Sequence, residues 1–308
     1  MQAPVGLVLS GGGARGAYQA GALRALAQRW AGPPFSVVSG SSIGALHAAC
    51  VAEGLEGEDL PGVAARLEQQ WRELREVLRP NWKSFLQALL GWLLRRPAGR
   101  VWGSVVSLLD EEPVLRALTQ FVPAGRRMGD YRRVELVVTA TDLNAGRTIC
   151  FDRSTPEVPV VEAVLASAAF PVAFRSRRIR GHWHVDGGVF DNAPLSHAIR
   201  RGCRSVVVIA TTPACDAEGP PPVAGEFADI WSVMRRLWPL MLDRLLYDEL
   251  RDTLRQGRVQ VLLICPGQEL DPPGTFGFEN AAAIHAAIDR GHRDALQALA
   301  AHRPALAG

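Results

Sequence analysis

Lysine is almost missing from this 308-residue chain: of 34 basic side chains, only Lys83 is not an arginine. Phosphate recognition and a coding bias toward arginine both produce such a pattern, and composition alone gives the first little weight. A large net charge is missing as well. At +3 the chain has no global basic field of the kind that holds nucleic acid, so no nucleic-acid partner is expected. Cysteine is sparse, with Cys50, Cys150, Cys203, Cys215 and Cys265 odd in number and free of C-x-x-C spacing. That excludes a disulfide framework and a zinc knuckle, and it suits a reducing compartment. The start, MQAPVGLVLSGG, lacks the basic and apolar regions of a secretion signal. The longest apolar-rich run, FLQALLGWLL at 85–94, is too short to span a bilayer. The expected setting is therefore cytoplasmic. No carboxylate cluster resembles a calcium loop, and no internal repeat is found.

What is present alternates between two periods. Val5–Leu9, Phe35–Val38, Val134–Leu143, Trp183–Val185, Ser205–Ala210 and Val259–Ile264 read as strands. Helices are expected at Ala14–Trp30, after Ser42 to about Ala52, at Val160–Phe170, at 193–201 and at 279–301, with a helical pair around 227–256 and mostly helix over 63–120. Strands alternating with helices mean an α/β fold with a mostly parallel sheet. The Pro-rich loop DAEGPPPVAG and the loop at 266–277 set off a C-terminal part, 211–308. It is expected to pack on the same unit as 5–210, because strand 259–264 is too short and apolar to stand alone.

Between the first strand and helix lies Gly11-x-Gly13-x-x-Gly16. Alone it is the dinucleotide-binding pattern, with backbone amides at a helix N-terminus facing a pyrophosphate. A nicotinamide enzyme also needs an acid roughly 20 residues on to hold the ribose. The second strand ends instead in Val37-Val38-Ser39-Gly40-Ser41-Ser42, with no acid nearby. The same row of amides would serve an oxyanion forming on an acyl carbonyl.

Gly40-Ser41-Ser42-Ile43-Gly44 follows a strand and opens a helix, the setting in which a G-x-S-x-G serine is a nucleophile. Such a serine needs a base, and three present themselves. The α/β-hydrolase order nominates His285, His292 or His302 in the last helix, against the objection that only one strand precedes the serine's own. His47 lies five residues along the serine's helix and points away from it. The second candidate is His182-x-His184-x-Asp186, three side chains on one strand face that could hold zinc and its water, although no other His/Cys cluster offers outer ligands. The third is Asp186 alone, at a strand end followed by two glycines. A desolvated carboxylate beside the hydroxyl is a competent base, and Asp-Gly is equally turn chemistry. On residues alone these two readings of Asp186 balance.

Four blocks in order then carry a resemblance: Gly11-Gly12-Gly13-Ala14-Arg15-Gly16, Gly40-Ser41-Ser42-Ile43-Gly44, Ala166–Phe174, and Asp186-Gly187-Gly188 with Asp191-Asn192-x-Pro194 after it. Together they resemble the patatin-like phospholipase family over roughly residues 5–210. The resemblance implies a three-layer α/β fold and lipid acyl hydrolysis without metal or cofactor. It further implies a Ser42–Asp186 dyad with no histidine and an oxyanion hole in the loop of Gly11, Gly12, Gly13, Arg15 and Gly16. Gly40 and Gly44 would shape the nucleophile turn, and Gly187 and Gly188 would support the aspartate. Both residues of the dyad are expected to end neighbouring strands. Arg15 has two readings, a contact with substrate or a brace on the loop's carbonyls. A non-catalytic lipid-binding protein is the remaining rival, and it leaves the serine, glycine loop and aspartate unexplained.

Contact with lipid has its own candidates. Trp82, Phe85, Leu86, Leu89, Leu90, Leu93 and Leu94 form one helical stripe, ending at Arg95-Arg96 within residues 82–96. Trp231, Met234, Leu237, Trp238, Met241, Leu245 and Leu246 form a second within 231–246. Tryptophan flanked by arginine suits an interfacial helix at the inner face of a membrane, and an apolar stripe equally suits a core. Arg175, Arg177, Arg178 and Arg180 read as a solvated loop or as a contact for anionic head groups.

Overall fold

The computed structural model describes residues 4–73, 107–213, 228–270 and 278–302, apart from 33, 58, 108, 172, 229, 258 and 279. The first stripe, 82–96, and Cys215 lie outside them.

Eight strands form one sheet: β1 (Val5–Leu9), β2 (Phe35–Gly40), β3 (Glu135–Asp142), β4 (Arg147–Phe151), β5 (Arg177–Ile179), β6 (His182–Asp186), β7 (Ser205–Ile209) and β8 (Gln260–Ile264). The path runs β5-β6-β3-β2-β1-β7-β8, with β4 also paired to β3. β3-β2-β1-β7-β8 is parallel throughout, while β4 and β6 run antiparallel to β3, and β5 to β6. β8 thus continues the same sheet as β1.

Period-2 alternation sends successive side chains to opposite faces, and both faces are apolar. Leu7, Leu9, Val38, Leu136 and Val138 join one core with helices α1 (Gly16–Arg29), α2 (Ile43–Glu56), α3 (Leu60–Arg72), α5 (Val160–Ser167) and α8 (Ala281–His302). Val8, Val37, Val137, Val206 and Val208 join the other with α6 (Leu195–Arg200) and α7 (Ile230–Arg255). The short α4 (Glu112–Thr119) buries only Leu118 completely. Three layers result. α8 lies against α1, where a Cβ on Gly291 would run into the Tyr18 carbonyl and one on Gly21 into that of Ile288. Tyr18 Oη donates to Asp294 at 3.0 Å across this contact.

Three expectations are corrected. The helical pair around 227–256 is one helix of 26 residues that passes through Pro239. Proline lacks the donor for the carbonyl four residues back, but Leu242, Leu246 and Leu250 beyond it are buried, the last two in the core beneath the sheet. Strands β4 and β5 are additional; the arginine-rich β5 has one buried residue in three. The strands carrying Ser42 and Asp186 are not hydrogen-bonded neighbours. Val138 of β3 pairs with both Gly40 and Phe151, and Ala140 with both Asp186 and Ile149. A strand has two edges, so β2 and β6 share the edge opposite β4. β2 runs parallel to β3 and β6 antiparallel, so their C-terminal ends meet head-on near Thr139.

Candidate active site

Ser42 sits where β2 stops and α2 begins, with φ 54° and ψ −124°. A non-glycine residue there is strained, a known cost at nucleophile turns. Crowding explains the flanking glycines: a Cβ on Gly44 would strike the Leu9 carbonyl, and one on Gly40 the carbonyl of Gly44. The Ser42 amide donates to Ser167 Oγ at 2.9 Å, and its hydroxyl donates to Asp186 Oδ2 at 2.6 Å.

Asp186 is 2% exposed. Its Oδ1 accepts the Gly188 amide at 2.8 Å, its own amide donates to the Ala169 carbonyl at 3.0 Å, and its carbonyl accepts Thr141 Oγ1 at 2.9 Å. Burial pushes the carboxyl up to about 6, against the lowering by hydrogen bonds from Ser42 and Gly188. A Cβ on Gly187 would meet the Thr139 carbonyl, so only glycine lets the chain turn here against β3.

The glycine loop leaves β1 beside this pair. The Gly11 amide is taken by the Asn192 carbonyl at 2.9 Å, and the Gly16 amide turns back to the carbonyls of Gly13 and Ala14. Neither therefore faces an oxyanion, which corrects the wider set expected from the motif. The amides of Gly12 and Gly13 have no acceptor among the described residues. Arg15 is buried, with Nε donating to the Gly12 carbonyl at 3.4 Å. Burial lowers its pKa, while Asp243 of α7 and Glu269 raise it. That contact is the one expected of a brace on the loop's carbonyls.

The loop has anchors that the motif did not reveal. Thr211 Oγ1 donates to the Gly11 carbonyl at 2.6 Å, and the Thr211 amide donates to Ser10 Oγ at 3.0 Å. Gln19 Nε2 donates to the carbonyls of Ser10 and Ile209 at 2.8 and 3.1 Å. His47 in turn holds Gln19 Oε1 at 2.8 Å through Nδ1, while Nε2 accepts from Trp71 Nε1 at 3.0 Å. That partner set fixes the proton on Nδ1, and burial lowers the imidazole to about 3. His47 is a neutral strut for the loop. Thr211 could have been suspected only from its place just after β7, a strand that flanks β1.

The other candidate bases lie elsewhere. His285 contacts the Arg72 carbonyl and His292 the Gln28 side chain; the side chain of His302 is outside the described residues. The His182-x-His184-x-Asp186 set does not converge. His182 Nδ1 pairs with Asp142 at 2.7 Å, His184 packs edge-on to Phe151, and Asp186 turns to Ser42. Among the described residues no group of three His, Cys, Asp or Glu could hold a metal. Three of the four arginines before the aspartate are engaged: Arg177 with Glu111 and Glu162, Arg180 with Glu157, and Arg178 over the Trp183 ring. In the second stripe Leu246 is buried while Leu237 and Met241 are 45% and 43% exposed; the side chains of Trp231, Met234 and Trp238 are outside the described residues. No described helix is long and apolar enough to cross a membrane.

The family model described as patatin-like phospholipase matches residues 7–199. An uncharacterized NTE family protein of Mycobacterium tuberculosis is 29% identical over 221 residues, 70% of this chain and 52% of that protein. A lysophospholipase nte1 of Aspergillus terreus is 39% identical over 81 residues, 25% of this chain and 5% of that one. The chain thus spans about half the length of the first and a small part of the second. Human GIVD cytosolic phospholipase A2 shares the fold at TM-score 0.50 and 11% identity, over 99% of this chain and 63% of that one.

Proposed function

Because the chain belongs to the patatin-like phospholipase family, we propose that it is a lipid acyl hydrolase that cleaves carboxylic esters through an acyl intermediate on Ser42. The observation that carries this reading is the 2.6 Å hydrogen bond from Ser42 Oγ to the buried Asp186, beside amides of Gly12 and Gly13 that find no acceptor among the described residues. Ser42 Oγ attacks the ester carbonyl as Asp186 takes its proton. The amides of Gly12 and Gly13 hold the oxyanion, and the N-terminus of α2 directly behind Ser42 adds positive potential. The tetrahedral adduct collapses to an acyl-serine, with the Asp186 proton passing to the leaving alcohol. Water then attacks the acyl carbon, giving its proton to Asp186, and Ser42 recovers its hydroxyl as the fatty acid departs. No metal or cofactor enters these steps. Incubation of the protein with phospholipid, lysophospholipid and triacylglycerol vesicles, followed by mass spectrometry of released fatty acid, tests the reading. Release from at least one class is expected, and release from none by folded, fluorophosphonate-reactive protein would contradict lipid as the substrate.

Thr211 is expected to matter for rate. Thr211→Val keeps the shape and removes the donor to Gly11, at a cost of about 1 kcal/mol in stability. It should slow ester turnover roughly 10-fold as the loop amides lose their aim. Turnover within twofold of wild type would show that the loop holds itself.

Substrate delivery is assigned to α7. Its exposed Val233, Leu237 and Met241 lie on the helix whose Leu242 approaches Gly188, 3.4 Å from where a Cβ would stand. Leu237→Asp with Met241→Asp should weaken sedimentation with vesicles without slowing hydrolysis of a water-soluble ester. Unchanged vesicle binding would remove α7 from the interface.

A further inference from the structure

Asn192 is fully buried, and its Oδ1 accepts no hydrogen bond among the described residues. The rest of the residue is accounted for: its carbonyl accepts the Gly11 amide at 2.9 Å, and Nδ2 donates to the Leu242 carbonyl of α7 at 3.5 Å. The orphan oxygen points to the centre of the site. A Cβ on Gly11 would stand 2.6 Å from Asn192 Oδ1 and 3.2 Å from Ser42 Cβ. One on Gly188 would stand 3.3 Å from Asn192 Oδ1 and 3.1 Å from Asp186 Oδ1. Without side chains on these two glycines, the Asn192 carboxamide oxygen packs close beside the Asp186 carboxylate and the nucleophile.

Asp186 and Asn192 Oδ1 are both acceptors beside the nucleophile, and neither offers a proton at neutral pH. In the resting protein Ser42 satisfies Asp186 Oδ2. Once Ser42 carries an acyl group it has no hydrogen left to give, and two acceptors face one another across the site. A molecule with two hydrogens on one oxygen satisfies both. We propose that Asn192 Oδ1 positions the hydrolytic water, accepting one of its hydrogens while Asp186 takes the other. The oxygen lone pair is thereby aimed at the acyl carbon. As the new C–O bond forms, one proton goes to Asp186 and the second stays on the attacking oxygen, held by Asn192. Cleavage of the bond to Ser42 Oγ then returns the proton from Asp186 to the serine, and the carboxylic acid leaves. Asn192 is thus assigned to deacylation alone, a role that rests on the hydrolase reading above and goes beyond it.

The assignment separates two half-reactions that a structural role would not. Asn192→Ala is expected to slow deacylation roughly 10²-fold, the scale for loss of a positioning contact. Fluorophosphonate labelling of Ser42, which needs no water, should stay within twofold of wild type. With a p-nitrophenyl ester the variant should show a burst near one equivalent. Its kcat and KM should fall together, with acyl-Ser42 dominant in the acid-quenched intact mass. Asn192→Asp keeps an acceptor and loses the donor to Leu242, so at about pH 9 it should turn over without accumulating acyl-enzyme. That variant decides the matter if Asn192→Ala does not fold. Labelling that falls in step with turnover, with no acyl-enzyme, would overturn the proposal, since an oxyanion donor or a tether for α7 behaves that way. Acyl-enzyme accumulating equally in Asn192→Asp would overturn it too. A folded wild type that neither takes the label nor cleaves ester would instead remove the hydrolase reading, and this inference with it.

Discussion

Asp186→Asn is expected to stabilise the protein by roughly 3 kcal/mol at pH 7–8 while lowering ester hydrolysis roughly 10²–10⁴-fold. Burial raises the Asp186 carboxyl from 3.8 to about 6 in the folded chain. A carboxyl whose folded pKa lies above its unfolded value binds the extra proton in the native state. Stability therefore falls as pH rises from about 4 to about 6, and the full penalty of about two pKa units persists above that window. The asparagine carries no such penalty and keeps an oxygen for the Gly188 amide. Its advantage should vanish below about pH 4, where Asp186 is itself neutral. Denaturant melts of both proteins across that range check the sign. An advantage that is flat with pH, or absent, would mean that Asp186 is not held in a desolvated site. The same shift should govern rate: with ionised Asp186 as the base of the proposed mechanism, kcat/KM should climb with pH through a limb near 6.

The second large effect concerns backbone strain. Ser42 is held at φ 54°, where a Cβ costs about 1–3 kcal/mol. Replacing alanine by glycine ordinarily destabilises by roughly 0.5–1 kcal/mol through chain entropy. At this position the order should invert, with Ser42→Gly about 1 kcal/mol more stable than Ser42→Ala. Both variants lose the hydroxyl donor to Asp186, so the comparison isolates the backbone. Both should be inactive, with kcat down by roughly 10⁶ as for loss of a serine nucleophile elsewhere. Ser42→Ala equal to or more stable than Ser42→Gly would show that the turn is relaxed.

The parts of the site readable from sequence are those where backbone crowding dictates residue type. Gly40 and Gly44 are required because a carbonyl occupies the place of each missing Cβ, and Gly187 because it turns against Thr139. Such constraints leave a mark at fixed local spacing, so Ser42 and Asp186 stand out from the chain. Both layers of helices were likewise written into the runs Val5–Leu9 and Ser205–Ile209, buried on both faces. Long-range hydrogen bonds leave no such mark. Thr211 reaches back 200 residues to Gly11, and Gln19 190 residues to Ile209. Ordinary side chains make those contacts, and their neighbours in sequence do not announce them. The glycine motif also overstated its own reach, since the amides of Gly11 and Gly16 are spent within the fold. The head-on meeting of β2 and β6 depends on the register of β3, whose one edge pairs with two strands of opposite direction. Alternation within each strand carries no trace of that.

The central claim is that Ser42 is a nucleophile activated by Asp186. Intact-mass analysis after fluorophosphonate treatment of wild type, Ser42→Ala and Asp186→Ala addresses it directly. The account predicts one adduct on wild type, none on Ser42→Ala, and labelling of Asp186→Ala slowed by at least roughly 10²-fold. An adduct that survives in Ser42→Ala, or forms at the wild-type rate in folded Asp186→Ala, would contradict it.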